Sequence, residues 1–446
     1  MPDASVSIHP SAYPSATANS PKPLATSKSL PTAVKLTAFD NDPVVKLVNS
    51  LLIQAVQLGA SDLHFEPYEQ LYRVRFRIDG ILKQMTTLLP SLIAKVSARL
   101  KIMAQMDISE RRLPQDGRIK LLTADNHTLD YRVSAIPTLF GEKIVLRVID
   151  CADSIVDIDQ LGLEPDQQQA FLQALYQPQG IVLLTGPTGS GKTLSLYAGL
   201  KLLNTETTNI STVEDPVEIN LCGVNQVSIN PKIGLSFDAA LKSFLRQDPD
   251  VVVIGEIRDL ETADTAIQAA QTGHLVLSTL HTNSATETLA RLHHMGITHF
   301  NIATAISLVV AQRLARRLCV HCKKHVNVPS HSLLQMGFLE RDLERLQPSS
   351  LACRLMPDCD STKSAIYKAV GCKHCTDGYK GRVGIFEVLL LTDDLAELIM
   401  QGGNALQIKA LAEQQGFYDL KRSALLKVLQ GIISIEEMQR IIASQH

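Results

Sequence analysis

No stretch of this 446-residue chain is long and apolar enough to span a bilayer. Ile181 to Leu184 and Val251 to Ile254 have strand length, and the longer run Phe300 to Leu314 is interrupted by Asn301, Gln312 and Arg313. No basic start followed by an apolar run marks a signal peptide at the N-terminus. The expectation is therefore a cytosolic protein, at most peripheral to a membrane. Charge of one sign is also lacking. The formal net charge of −2 gives no global attraction to nucleic acid, and no nucleic-acid partner is expected. Eight cysteines in so long a chain do not make a disulfide scaffold.

What is present is ordinary for a globular protein: 45% hydrophobic and 20% charged residues, at a length that suits two or three domains. Residues 1–41 are rich in Ser, Pro, Ala and Thr and lack the apolar period needed to offset ordering entropy, so a disordered tail is expected. A docking segment that orders on a partner is the alternative. Residues 42–150 read as a compact α+β domain with a hairpin signal at Asp79-Gly80. Residues 151–160 read as a linker. A second domain, 161–316, alternates strands and helices, which predicts a parallel-rich sheet with its chemistry at the carboxyl ends of the strands. A Cys-bounded insertion, 317–383, and a helical segment, 384–446, follow.

The chemistry begins at Gly186-Pro187-Thr188-Gly189-Ser190-Gly191-Lys192-Thr193. This run follows an apolar β-like segment and precedes a helix-like one, the context of a phosphate-binding P-loop. Glycines let backbone N–H groups close on an anion, and the next helix points its positive end at the same place. Lys192 can reach the β- and γ-phosphates, and Thr193 can ligate Mg²⁺. Three further segments complete the pattern. Glu214-Asp215-Pro216-Val217-Glu218 delivers carboxylates at a strand end. Val251 to Ile254, four apolar β-formers, end in Gly255-Glu256-Ile257-Arg258-Asp259. The strand Leu275 to Thr279 is bracketed by His274 and His281.

These segments resemble the Asp box, Walker B and His box of the secretion ATPases, the hexameric motors of type II secretion and type IV pilus assembly. The resemblance runs from about Pro43 to the C-terminus. It implies a RecA-like ATPase core preceded by a smaller α+β domain, binding ATP and Mg²⁺. Lys192 and Thr193 would hold phosphate and metal, with Glu214 among the cofactor-lining groups. Glu218 would act as general base or water-positioning group, and Glu256 would hold Mg²⁺ through water. His281 would contact the γ-phosphate region, supported by His274. Arg132 and Arg147 match arginines that the N-terminal domain of the family contributes to the nucleotide; Arg77 and Arg118 are weaker candidates. The implied partners are other copies of the chain in a homo-hexamer and an inner-membrane platform protein. A conjugation-type motor that translocates DNA or another substrate is the alternative reading. Many members carry a further N-terminal docking domain, for which this sequence leaves only a short tail.

Two C-x-x-C pairs, Cys319/Cys322 and Cys372/Cys375, can place four thiolates around Zn²⁺. A redox dithiol or four unconnected thiols are the other readings, but a redox pair needs no second copy. Assembly and secretion members of the family carry such an element. Asp62, His64 and Glu66 fall on alternate strand positions like a metal trio. Their surrounding run, Gly59 to Pro67, resembles a motif of the N-terminal domain, which favours a structural or interface role.

Overall fold

The computed structural model describes residues 34–35, 42–122, 128–149, 156–340 and 363–443. The expected tail, apart from Val34–Lys35, lies outside these residues, as do 151–155 of the expected linker and Cys151, Cys353 and Cys359.

The first domain opens with β1 (Val34–Lys35), α1 (Pro43–Gln57), β2 (Ala60–Pro67), β3 (Tyr72–Ile78) and β4 (Ile81–Leu88). It continues with α2 (Ile93–Met103), β5 (Gln115–Leu122), β6 (Thr128–Thr138) and β7 (Gly141–Ile149). The sheet order is β1-β5-β6-β7-β2-β3-β4. Asp42 caps α1 by accepting from the Val44 N–H at 2.8 Å, with Pro43 in the first turn. Strict alternation sorts the strands into two faces. On β3, Tyr72, Val74, Phe76 and Ile78 are buried, whereas Arg73, Arg75 and Arg77 point the other way. The buried face packs under Val48, Leu51 and Leu52 of α1 and Val96 and Leu100 of α2. The opposite face is charged.

The second domain starts with α3 (Pro165–Leu175), β8 (Gly180–Thr185), α4 (Lys192–Leu203), β9 (Ile210–Glu214) and β10 (Asn225–Ser228). Next come α5 (Phe237–Phe244), β11 (Val251–Ile254), α6 (Leu260–Gln271), β12 (Leu275–Leu280), α7 (Ala285–His294) and α8 (His299–Ala305). Strand β13 (Ile306–Leu318) leads into the Cys-bounded insertion, which holds β14 (Lys324–Pro329), α9 (Ser330–Met336) and β15 (Lys363–Lys368). The chain closes with β16 (Tyr379–Leu390), α10 (Asp393–Met400), α11 (Ala405–Gln414), α12 (Leu420–Leu429) and α13 (Ile435–Ala443). The order of the second sheet is β10-β9-β11-β12-β8-β13-β16. All its pairs are parallel except β13 with β16. Strands β8, β9, β11 and β12 are buried along their whole length because helices cover both faces.

Two sequence-based boundaries shift. The apolar run Phe300 to Leu314 is a short helix followed by a strand, α8 and then β13. The helical segment expected from residue 384 begins at Asp393, because Tyr379–Leu390 is an edge strand of the core sheet. No helix among the described residues is long and apolar enough to cross a membrane.

Candidate functional site

Parallel strands put their carboxyl ends on one edge, and the P-loop rises from that edge after β8. Gly186, Gly189 and Gly191 all adopt positive φ (145°, 79° and 90°), a region that side chains with a Cβ disfavour. A Cβ on Gly186 would stand 2.4 Å from the Gln312 carbonyl oxygen, so only glycine lets the loop lie against β13. Lys192 Nζ donates to the carbonyls of Gly186 (2.7 Å) and Pro187 (3.3 Å), folding its charge back onto the loop. Burial brings its pKa down to about 8, with Glu256 pulling upward and Arg313 pushing down. Ser190 Oγ, Ser195 Oγ, Gln312 Oε1 and Arg313 Nε are buried without a hydrogen-bond partner among the described residues. Native proteins rarely leave such groups unpaired. The Ser190 and Ser195 hydroxyls and the Arg313 Nε–H can donate, so the loop fits an anionic ligand, whereas Gln312 Oε1 can only accept.

The acidic segments arrive on the same edge. Glu256, just past β11, is ion-paired with Arg258 and stands 3.2 Å from His281 Nε2. Arg258 also lies 3.6 Å from Asp215. Thus Asp215, Glu256, Arg258 and His281 form one cluster, whose charge reaches Lys192. Glu218 is exposed and its charge is felt at the Tyr197 hydroxyl.

Two expected site residues face away from the cradle in this structure. Glu214 is turned inward: it accepts from Thr212 Oγ1 (2.6 Å), Gln226 Nε2 (3.3 Å) and the Tyr197 hydroxyl, and it is only 6% exposed. Its carboxylate anchors the turn that carries Asp215 and Glu218 instead of lining the cradle. His274 sits at the wrong end of its strand. Leu275 pairs with Gly180 and Leu280 with Thr185, so β12 enters the sheet at His274 and leaves it near His281. Five steps of about 3.3 Å separate the two edges of the sheet. His274 Nδ1 instead contacts the Ala269 carbonyl at 2.9 Å, closing the end of α6.

Gln312 and Arg313 lie against Gly186 of the loop, although the sequence presents them only as interruptions of an apolar run. Both are at least 96% buried. Arg313 donates to Asn283 Oδ1 (3.0 Å) and O (3.3 Å), tying the turn after β12 to the floor of the P-loop. A signal exists: Gln312 and Arg313 interrupt the apolar run Leu308 to Leu314, and polar groups inside such a run need a local reason.

In the first domain, one lateral row crosses five strands. Arg118, Arg132, Arg147, Asp62 and Arg77 are successive cross-strand partners. Asp62 holds Arg147 (2.9 Å) and Arg77 (3.5 Å), and Asp130 holds Arg118 (2.7 Å). Arg132 is exposed and makes no ion pair among the described residues. The supposed trio resolves into ion pairs: Glu66 binds Arg73 (3.0 Å), Arg75 (2.7 Å) and Lys143 (3.5 Å). Cations at both carboxylates leave no ligand set for a metal.

Among the described residues, one group could hold a metal ion. Cys319, Cys322, Cys372 and Cys375 bring their sulfurs within 4.8 Å of one another, with pairs at 3.9, 3.6 and 3.7 Å. Thiolates about 2.3 Å from a tetrahedral Zn²⁺ stand about 3.8 Å apart, whereas a disulfide needs about 2.05 Å. The N–H groups of Gly371 and Cys372 approach the sulfurs of Cys322 and Cys375 at 3.4 and 3.3 Å, as backbone donors to metal-held thiolates do.

With this geometry in hand, similarity to known proteins is specific. The family model described as type II/IV secretion system protein matches residues 37–440. The type IV pilus assembly ATPase PilB of Acinetobacter baylyi is 58% identical over 402 residues, 90% of this chain and 67% of that protein. The type II secretion system ATPase E of Vibrio cholerae is 42% identical over 409 residues, 91% of this chain and 76% of that one. The Legionella pneumophila ATPase DotB aligns with a TM-score of 0.65 at 20% identity, covering 92% of this chain and 99% of the other. The pilus retraction motor PilT with bound ADP gives 0.57 at 23% identity, covering 88% and 96%. Both structures share the fold.

Proposed function

The chain belongs to the type II/IV secretion system protein family, and on that footing we propose that it is an ATP-hydrolysing motor for assembly of a type IV pilus or a type II secretion pseudopilus. It works as a homo-hexamer at the cytoplasmic face of an inner membrane and acts on a platform protein there. The observation that carries the reading is the convergence of Lys192, Glu256 and His281 at one sheet edge, around a glycine loop with unmatched buried polar atoms.

In this reading the backbone N–H groups of residues 186–193 cradle the phosphates. Lys192 leaves its two loop carbonyls for the terminal phosphates, and the Thr193 hydroxyl holds Mg²⁺. A magnesium ion held there would supply compensation for the negative charge of the reacting phosphates. Glu256 would help hold that ion, and His281, already in contact with Glu256, would report on the terminal phosphate. Glu218, exposed on the same edge, orients the attacking water. Arg132 and Arg147 stand on the charged row of the first domain, and closure of the two domains brings them to the phosphates. The four cysteines hold Zn²⁺ as a structural site.

The test is ATP turnover by the purified full chain. Lys192→Ala and Glu256→Gln should each reduce turnover by about a hundredfold or more. Turnover that survives both substitutions refutes the motor reading.

A further inference from the structure

Glu387 takes no part in the nucleotide chemistry above, yet it is a carboxylate only 3% exposed in the middle of β16. Its two oxygens go to two different places. One accepts from the N–H of Ala285 at 2.8 Å, the first residue of α7. The other accepts from the N–H of Leu420 at 3.3 Å, the first residue of α12. Each helix start leaves several N–H groups without an intrahelical partner, and Glu387 takes the first of them in both. Ser284 already caps α7 through the Glu287 N–H (3.2 Å), and Asp419 caps α12 through the Arg422 N–H (3.0 Å). Ser284 and Asp419 thus complete the capping at the third residue, while one buried carboxylate shared between the first residues of two helices ties those helix starts to each other.

The link joins the site to an element far along the chain. Helix α7 follows directly on His281-Thr282-Asn283-Ser284, the turn that touches Glu256 through His281 and the P-loop floor through Arg313. Thr282 N–H also donates to Thr185 Oγ1 at 2.9 Å, immediately before the P-loop. Helix α12 belongs to the C-terminal helices. We propose that Glu387 is the positioning residue that couples the nucleotide cradle to these helices, holding α7 and α12 at fixed distance through one carboxylate. The proposal rests on the motor reading for its catalytic consequence, but the coupling itself needs only that nucleotide binds.

Burial pushes the Glu387 carboxyl up to about 7; the Ala285 and Leu420 N–H groups lower it, Asp419 raises it and Lys409 lowers it. Arg313 and Glu287 face the same region from β13 and α7. A protonated Glu387 turns an O–H toward one of the two backbone donors and releases it. Turnover should thus rise with pH through about 7 and then level.

Glu387→Gln keeps the shape and loses one acceptor. In the full chain, kcat for ATP should fall about tenfold while KM moves less than about threefold, and the rise near neutral pH should vanish. Amide hydrogen exchange with and without MgADP reads the coupling directly. In the unsubstituted protein, MgADP should slow exchange at both 285–289 and 420–424; in Glu387→Gln only the first should respond. Unchanged kcat and pH profile in the variant, or equal protection at 420–424 in both proteins, overturns the proposal. Should the variant fail to fold, no response of 420–424 to MgADP in the unsubstituted protein overturns it as well. Loss of turnover in the unsubstituted protein would instead refute the motor reading, while exchange still decides the coupling.

Discussion

Gly186→Ala isolates the physical requirement of the P-loop floor. The added Cβ meets the Gln312 carbonyl oxygen at 2.4 Å and Ser190 Oγ at 2.7 Å. Ser190 can rotate away; Gln312 cannot, because β13 is hydrogen-bonded to β8 on one side and β16 on the other. The backbone at φ 145° adds strain of about 1–3 kcal/mol, and overpacking adds about 1–3 kcal/mol. Gly189→Ala is the control. Its φ is 79° but nothing lies within 4 Å of the new Cβ, so only the left-handed cost of about 1–2 kcal/mol applies. Urea unfolding followed by far-UV circular dichroism, with nucleotide titration in parallel, should show Gly186→Ala less stable than Gly189→Ala. Relief by lifting the loop off β13 should weaken nucleotide binding by about tenfold or more, the equivalent of about 1.4 kcal/mol. Equal unfolding midpoints for the two variants would refute the steric argument.

Other expectations follow from the same structure. Lys192, at about 8 in the free protein, must be protonated to meet a phosphate, so binding takes up a proton above that pH. Nucleotide affinity should be flat below pH 8 and fall by up to about tenfold per unit above it, read by isothermal titration. Glu437 is fully buried; burial opposes its charge, but Arg440 and Arg316 outweigh this and hold its carboxyl below the ordinary carboxylate range. Its stabilisation is therefore present above the unfolded carboxylate pKa and lost as pH falls through the lowered folded value. Glu437→Gln should cost about 3–5 kcal/mol at neutral pH and flatten the acid limb of the stability profile. Cys322→Ser should abolish stoichiometric zinc in metal analysis and lower the thermal midpoint. A zinc content unchanged by the substitution would remove the metal assignment.

The P-loop, the Walker-type strand and the paired cysteines were legible because each depends on local spacing: a strand, a glycine turn and a helix follow one another in the chain. The errors arise where the sequence does not carry direction or facing. His274 and His281 bracket one strand and look like a pair, but a parallel strand carries its ends to opposite edges of the sheet. Glu214 and Glu218 share a motif, yet Glu214 is the last residue of its strand and is held inward by Tyr197, Thr212 and Gln226, whereas Glu218, beyond the strand, is exposed. Gln312, Arg313 and Glu387 were overlooked for the opposite reason. Each sits in an apolar run that reads as core, and only the packing of β13 and β16 beside the P-loop and α7 explains a polar group there. The arginines of the first domain were found singly, whereas their alignment in one row depends on cross-strand register.

That row has an electrostatic consequence. Four guanidiniums share a strip of sheet with the carboxylates Asp62 and Asp130, leaving an uncompensated excess of positive charge on one surface. Arg132, between Arg118 and Arg147 in the row, is the cation without a carboxylate among the described residues, so a multivalent anion meets its strongest attraction there. The melting temperature of the first domain should respond to sulfate or tripolyphosphate more steeply than to chloride at equal ionic strength, giving the fold an intrinsic appetite for polyanions before any second domain approaches.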